Sequence, residues 1–141
     1  MNSTKEYENA ITAANTKDEV IEIIKNLPQI TFTARIEQLR EKYGIRSFSK
    51  IQADCGITKS LFYDIINGDR KSKKEHVIKI GIAMGLTVEE LNELLKLANH
   101  KELYAKRKED AAIIFGLTKK LKVEEIQNLL DDIGSKLDLM D

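Results

Sequence analysis

Residues 47–74 constrain the fold more than any other part of the chain, because they predict two short helices joined by a tight turn. Phe48, Ile51 and Cys55 recur at positions i, i+3 and i+7, which places them on one face of a helix. Gly56 follows directly, and a glycine at this point can adopt the left-handed backbone conformation that lets the chain turn sharply. The segment therefore predicts a helix, a turn and a second helix.

The second helix of this pair is predicted to begin after Thr58, which we expect to act as its N-cap. Its inner side is apolar and consists of Phe62, Ile65 and Ile66. Its outer side carries hydrogen-bonding groups, namely Lys59, Ser60, Tyr63, Asp64 and Asn67. Two helices joined in this way can place the second one in a DNA major groove.

The segment resembles the helix-turn-helix of the XRE family, the phage repressor and Cro type of DNA-binding domain. The matching features are Ile51, Gly56-Ile57-Thr58, the inward Phe62 and Ile65, Asn67-Gly68, and then Val77, Ile80, Met84, Gly85-Leu86-Thr87, Glu90 and Leu91. The similarity covers roughly residues 33–98. It implies a sequence-specific double-stranded DNA-binding transcriptional regulator of bacterial or phage type. It also implies an all-α, lambda-repressor-like bundle of about five helices, with an additional N-terminal helix and C-terminal hairpin.

Under this resemblance the recognition helix spans about residues 58–67, and two sets of DNA contacts are expected. Base edges would be read by Lys59, Ser60, Tyr63 and Asn67. Phosphates would be contacted by Ser47, Lys50, Arg70, Lys71, Lys73 and Lys74. Such domains usually dimerise to read two half-sites. The candidate dimer surfaces are the terminal helix pair and the helix from Thr16 to Leu27.

An alternative hypothesis is a non-enzymatic protein-interaction module on a degenerate helix-turn-helix fold. The family's phosphate-contacting glutamine is replaced by Phe48, its small alanine by Gln52, and its usual glutamate by Ile66. Asp64 would place a carboxylate in the groove. In addition, Leu61 and Tyr63 would suit a protein groove. The two hypotheses differ in salt response, because phosphate contacts make binding strongly salt-dependent.

The charge balance gives the whole chain no attraction for polyanions. It has 23 basic and 23 acidic residues among 141, and an excess of four positive charges is confined to residues 46–81. The single Cys55 cannot form an internal disulfide, and the N-terminal segment lacks the pattern of a signal peptide. Because no apolar run approaches the length of a membrane span, we expect a soluble cytoplasmic protein.

Three divisions of the chain are predicted: an N-terminal extension at 1–32, a helix-turn-helix domain at 33–105, and a C-terminal helical hairpin at 106–141 packed on that domain. Capping-box spacings at Thr16–Glu19, Ser72–Glu75 and Thr87–Glu90 predict helix starts. Pro28 is expected to end the first of these helices. A helix is also expected at about 33–43, and a marginal one within residues 1–15.

A weak internal repeat relates residues 74–95 to residues 108–130. The Lys-Glu pairs lie 34 residues apart and the Val-Glu-Glu triplets 35 apart, which indicates one inserted residue between the helices of the second copy. We interpret each copy as a helix pair, with the second stacked on the first. The apolar faces of the second pair are predicted from Ala111, Ala112, Ile114, Phe115, Val123, Ile126, Leu129, Leu130 and Ile133.

No pattern of residues indicates catalysis. His76 and His100 have no cysteine or histidine at metal-ligand spacing, and Cys55 is placed on an apolar face. The carboxylates lie mainly in first helical turns, where capping accounts for them. We therefore expect no enzyme activity, no metal, no cofactor and no small-molecule ligand.

Overall fold

The computed structural model describes residues 4–27 and 30–140, and within them it is all-α. Those residues form nine helices and no strand, which confirms the predicted fold class. The helices are α1 (Thr4–Ala13), α2 (Lys17–Lys25), α3 (Phe32–Lys42), α4 (Ser49–Cys55), α5 (Lys59–Ile66), α6 (Lys74–Met84), α7 (Val88–Leu97), α8 (Lys108–Thr118) and α9 (Val123–Asp132). The chain divides into two compact units, the first up to Ile30 and the second from Thr31. The predicted three-part division stays a prediction.

The first unit is a pair of short helices without a buried side chain among its described residues. Thr16 caps α2 as predicted, because its hydroxyl accepts a hydrogen bond from the Glu19 N–H at 3.1 Å. The reciprocal bond differs from a standard capping box, since the Glu19 carboxylate accepts from the Asn15 N–H at 2.8 Å. The predicted stop at Pro28 lies outside the described residues.

The second unit is built around α6, as its nearly continuous apolar sequence predicts. The buried residues of this helix are Val77, Ile78, Lys79, Ile80, Gly81, Ile82 and Met84. Helix α6 packs against α4 on one side and is paired with α7. Gly81 allows the close approach of α7, because a Cβ atom there would lie 2.7 Å from Leu91 Cδ1.

The two helices of the predicted helix-turn-helix are present, and their inward faces are confirmed. Phe48, Ile51 and Cys55 are buried on the first, and Gly56 has the expected left-handed φ of 72°. On the second, the burial of Phe62, Ile65 and Ile66 matches the prediction. Thr58 occupies the N-cap position, but its side chain makes no capping hydrogen bond.

The predicted capping box at Ser72–Glu75 is wrong by one residue. Lys73 is the N-cap of α6, and its N–H donates to Nδ1 of His76 at 3.2 Å. Ser72 instead lies beside His100, whose Nε2 is 3.0 Å from the Ser72 carbonyl oxygen. This contact joins the start of α6 to the end of α7. The spacing of residues 72–75 could not predict it, because His100 lies 28 positions away in the chain.

A polar cluster ties α3 to α7. The buried Glu90 carboxylate accepts from the Tyr43 hydroxyl, from Lys42 Nζ at 2.5 Å and from the Thr87 N–H at 3.0 Å. Burial alone would raise the pKa of Glu90, but the three donors outweigh it and hold that pKa at about 2. The hydrogen bond to Glu90, together with burial, raises the pKa of Tyr43 to about 12. The capping box predicted at Thr87–Glu90 is confirmed within the same cluster.

The internal repeat is present as two helix pairs, α6–α7 and α8–α9, in a constant register of 35 residues from Gly81 onward. Gly116 packs on Ile126 as Gly81 packs on Leu91, with a Cβ at Gly116 lying 2.3 Å from Ile126 Cδ1. The backbone turns also correspond, since Gly85 and Lys120 both have positive φ. The segment between the helices is residues 85–87 in the first pair and residues 119–122 in the second, so it is one residue longer in the second pair, as predicted.

The segment after each pair folds back onto that pair in the same way. The Leu103 N–H donates to Asn92 Oδ1 at 2.8 Å, and the Leu139 N–H donates to Gln127 Oε1 at 2.6 Å. Both leucine side chains are buried. The repeated structural unit is thus a helix pair followed by a short return segment.

Candidate interaction surfaces

The four predicted base-reading residues lie on α5 and its C-cap. Lys59, Ser60 and Asn67 are exposed, whereas Tyr63 is half-buried and its ring contacts Phe62 edge to face. The structure thus brings these four residues to one side of a short helix. Asp64 is half-buried on the same helix.

The six predicted phosphate-contacting residues are divided between two parts of the second unit. Ser47 is occupied locally, because its hydroxyl accepts from the Ser49 N–H at 3.2 Å. Lys50 lies 4.0 Å from Asp54 and lines a cavity with Lys120. Arg70 and Lys71 line a different cavity, beside His100. Lys73 and Lys74 begin α6.

Residues that depart from the family pattern have structural roles in this chain. Phe48 is buried, with the Arg40 guanidinium 5.2 Å from its ring centre. The Gln52 amide donates to the Ile57 carbonyl at 2.6 Å and so closes the turn. Ile66 is buried in the core. These side chains are therefore committed to folding rather than exposed for recognition.

The outer face of α8–α9 is an apolar surface that no helix of the second unit covers. We define it by the residues that line one shallow groove of about 410 Å³: Lys108, Ala111, Ala112, Phe115, Leu129 and Ile133. Phe115 is 49% exposed and Ile133 is 37% exposed. Both residues were predicted to lie on the apolar faces of the hairpin, and they lie on its exposed apolar face. The hairpin core is formed instead by residues that include Ile113 and Leu117.

The centre of the corresponding face of α6–α7 is covered. Ile80 and Phe115 directly precede Gly81 and Gly116 in unbroken helices, so they correspond at the same register of 35 residues, as do Leu94 and Leu129. Both Ile80 and Leu94 are completely buried. Helix α6 packs against α4, and α7 packs against α3. The outer face of α8–α9 is thus the counterpart of a surface that this chain covers with further helices.

The described residues contain neither a candidate metal site nor a candidate membrane span. No group of three or more His, Cys, Asp or Glu side chains there could hold a metal ion. Within residues 4–27 and 30–140, no helix has the length and hydrophobicity needed to cross a membrane. Cys55 is buried in the core, and burial raises the pKa of its thiol.

Comparisons with known proteins connect the chain to a ribosomal protein. It is 23% identical over 124 residues to the large ribosomal subunit protein bL12 of Maridesulfovibrio salexigens, a match that spans 88% of this chain and 96% of that protein. No protein-family model matches the chain. No solved structure matches it either.

This similarity corrects the interpretation drawn from the helix-turn-helix. A match along most of the chain to a ribosomal protein, with none to an XRE-type family model, overturns the predicted XRE membership. The predictions of transcription regulation and of double-stranded DNA as the main partner are wrong for the same reason. The alternative of a non-enzymatic interaction module agrees better with the comparison. The physical basis for the error is that a short helix pair around a glycine turn forms whenever its inner face is apolar, whatever its outer face does.

The outer face of α8–α9 was missed because apolar spacing does not distinguish a covered face from an uncovered one. The internal repeat contained a usable signal. Aligned at 35 residues, the second pair keeps apolar positions of the first, which indicates an apolar face on α8–α9 that corresponds to the one on α6–α7.

Proposed function

We propose that this chain is a non-enzymatic protein-interaction module that binds protein through the outer face of α8–α9. The observation that carries the proposal is the exposure of Phe115 and Ile133 on a face whose central counterparts in α6–α7, Ile80 and Leu94, are completely buried. Exposed aromatic side chains in an apolar groove are common anchors of protein interfaces. The similarity to a ribosomal protein supports a role within a protein assembly, and we include a cytoplasmic location in the proposal.

The test is site-specific photo-crosslinking with the full chain. A photo-reactive phenylalanine analogue replaces Phe115 in one variant and Tyr104 in the control. Tyr104 is a matched control because it is an aromatic residue with 55% exposure and does not line the outer face. Each variant is irradiated in a cell extract that contains ribosomes, and adducts are identified by mass spectrometry.

We expect protein adducts from position 115 well above the level from position 104. Because of the similarity to bL12, the large ribosomal subunit is the first partner to examine, by co-sedimentation of the labelled chain with purified subunits. If position 115 gives no more protein adducts than position 104, the proposed function is wrong. Adducts without co-sedimentation would retain the interaction module and exclude the ribosomal partner.

A further inference from the structure

The contact between the two helix pairs shows how a pair of this kind packs on another. Helix α6 packs against α9, and α7 packs against α8, so the first helix of each pair lies on the second helix of the other. Ile78 and Ile82 line cavities shared with the second pair. Their counterparts at 35 residues, Ile113 and Leu117, are also buried. The two helix pairs therefore contact each other through equivalent faces, as two units related by a two-fold axis do.

The outer face of α8–α9 lies on the opposite side of the second pair and carries charges at its two ends. Lys108 and Lys119 lie seven residues before and four after Phe115, so both project on its side of α8. On α9, Glu125 and Asp132 lie one turn before and one turn after Leu129. All four charged residues are exposed. The α8 edge of the face is therefore basic. The α9 edge is acidic on balance, although Lys122, seven residues before Leu129, adds one positive charge at its start.

These charges form no ion pair with any residue that the structure describes. Lys108 and Ile133 line the same groove, so the start of α8 and the end of α9 lie at one end of the face. An occupant that satisfies the face needs an apolar centre, an acidic edge over α8 and a basic edge over α9. The face itself has that pattern.

We infer that a second copy of this chain covers the outer face, with α8 of each copy lying over α9 of the other. A two-fold axis parallel to the helices keeps the start of α8 at the same end of the face in both copies. It places Lys108 over Asp132 of the second copy, and Lys119 over Glu125 of the second copy. The other two-fold arrangement, with α8 over α8, would place Lys108 over Lys119. The charges therefore favour the arrangement with α8 over α9. In the same way, the first helix of each pair packs on the second helix of the other pair within the chain. The inference rests on the proposed function and names its partner.

The test uses sedimentation equilibrium of the full chain at low ionic strength, from micromolar to millimolar concentration. We expect the mass to rise from monomer to dimer with concentration. Phe115→Ser removes the central aromatic anchor from both copies and is expected to weaken the dimer by about 100-fold. Tyr104→Ser is the matched control and is expected to leave the dimer unchanged. Both replaced side chains are exposed, so circular dichroism should show the same helical content in each variant.

Charge reversal tests the orientation. Lys108→Glu and Asp132→Lys are each expected to weaken self-association by about 10-fold, because each places like charges together twice in the dimer. Both substitutions favour their helices, since an acidic residue enters the start of α8 and a basic one the end of α9. The double variant is expected to dimerise like the native chain. A mixture of the two single variants is expected to form a heterodimer.

Three results would overturn the inference. The chain could remain monomeric at millimolar concentration, the dimer could survive Phe115→Ser, or the paired charge reversal could fail to restore association. Failure of the proposed function is separate from these outcomes. Adducts from position 115 to other proteins with a monomeric chain would reject only the second copy. A monomeric chain without any such adducts would reject both.

Discussion

Glu90 is the residue whose ionisation has the clearest effect on folding. It is only 6% exposed, and its carboxylate joins α7 to Lys42 and Tyr43 at the end of α3. Its pKa of about 2 in the folded chain lies below the ordinary value of 4.5. A lowered pKa means that the folded state favours the carboxylate. The stabilisation is therefore complete above pH 4.5 and is lost as pH falls toward 2.

Glu90→Gln is expected to lower the free energy of unfolding at pH 7 by about 2–3 kcal/mol, because it removes the charge that the Lys42 and Tyr43 donors satisfy. Urea unfolding at pH 7 and at pH 3 measures the difference from the native chain, which should be smaller at pH 3. Glu89→Gln is the control, since Glu89 is an exposed neighbour in the same first turn. Equal effects of the two variants would contradict the role of Glu90.

The ionisation of Tyr43 is expected to lower stability at alkaline pH, whereas that of Glu90 matters at acidic pH. Its pKa is raised from 10.0 to about 12 by the hydrogen bond to Glu90 and by burial. A raised pKa means that the folded state favours the neutral hydroxyl, so the stabilisation is present below pH 10 and is lost as pH rises through 12. Absorbance titration of the tyrosinate should show one tyrosine that ionises late, and Glu90→Gln should bring that tyrosine back toward the others.

At the scale of elements, the two helix pairs depend on Gly81 and Gly116 for their close approach. A Cβ at Gly116 would meet two atoms of Ile126, Cδ1 at 2.3 Å and Cγ1 at 2.4 Å. A Cβ at Gly81 would meet only one atom of Leu91 below 3.0 Å, which a change of rotamer can relieve. Alanine also favours a helix over glycine by about 1 kcal/mol. Steric overlap and helix propensity therefore oppose each other at both positions.

We expect overlap to dominate at Gly116, so that Gly116→Ala lowers the free energy of unfolding by about 1–2 kcal/mol, while Gly81→Ala remains close to neutral. Denaturant unfolding of both variants measures this order. Combining Gly116→Ala with Ile126→Ala should reduce the cost of the glycine substitution, because the atoms that it meets are gone. The same cost in both backgrounds would show that Ile126 is not the cause.

At the scale of the whole molecule, burial is distributed unevenly along the chain. Helix α6 has seven buried residues, whereas the described residues of α1 and α2 include none. Short helices without buried apolar surface are marginal in water. Hydrogen exchange followed by mass spectrometry should therefore find the slowest amides in α6 and rapid exchange in α1 and α2. Protection of α1 and α2 equal to that of α6 would contradict this expectation.

The sequence by itself determined the class of fold and much of its local structure. Periods of three and four residues located the inner faces of α4 and α5, and glycine identified the turn at Gly56, because both features depend on neighbours within one or two helical turns. The internal repeat was also readable, since each copy preserves the spacing that forms a helix pair. The same local signals supported a helix-turn-helix, and they could not establish DNA binding, which depends on the outer face.

Only the tertiary structure decided which apolar faces are covered. Ile80 and Phe115 occupy equivalent positions in the two pairs, yet the first is fully buried and the second is about half exposed. The difference arises because α3 and α4 pack on the first pair, and no helix of the second unit packs on that side of the second. Likewise, Glu90 acquires its low pKa from residues 47 and 48 positions away in the chain. Long-range contacts of this kind cannot be predicted from local spacing. The candidate interaction surface is the apolar face on which the second unit makes no such contacts.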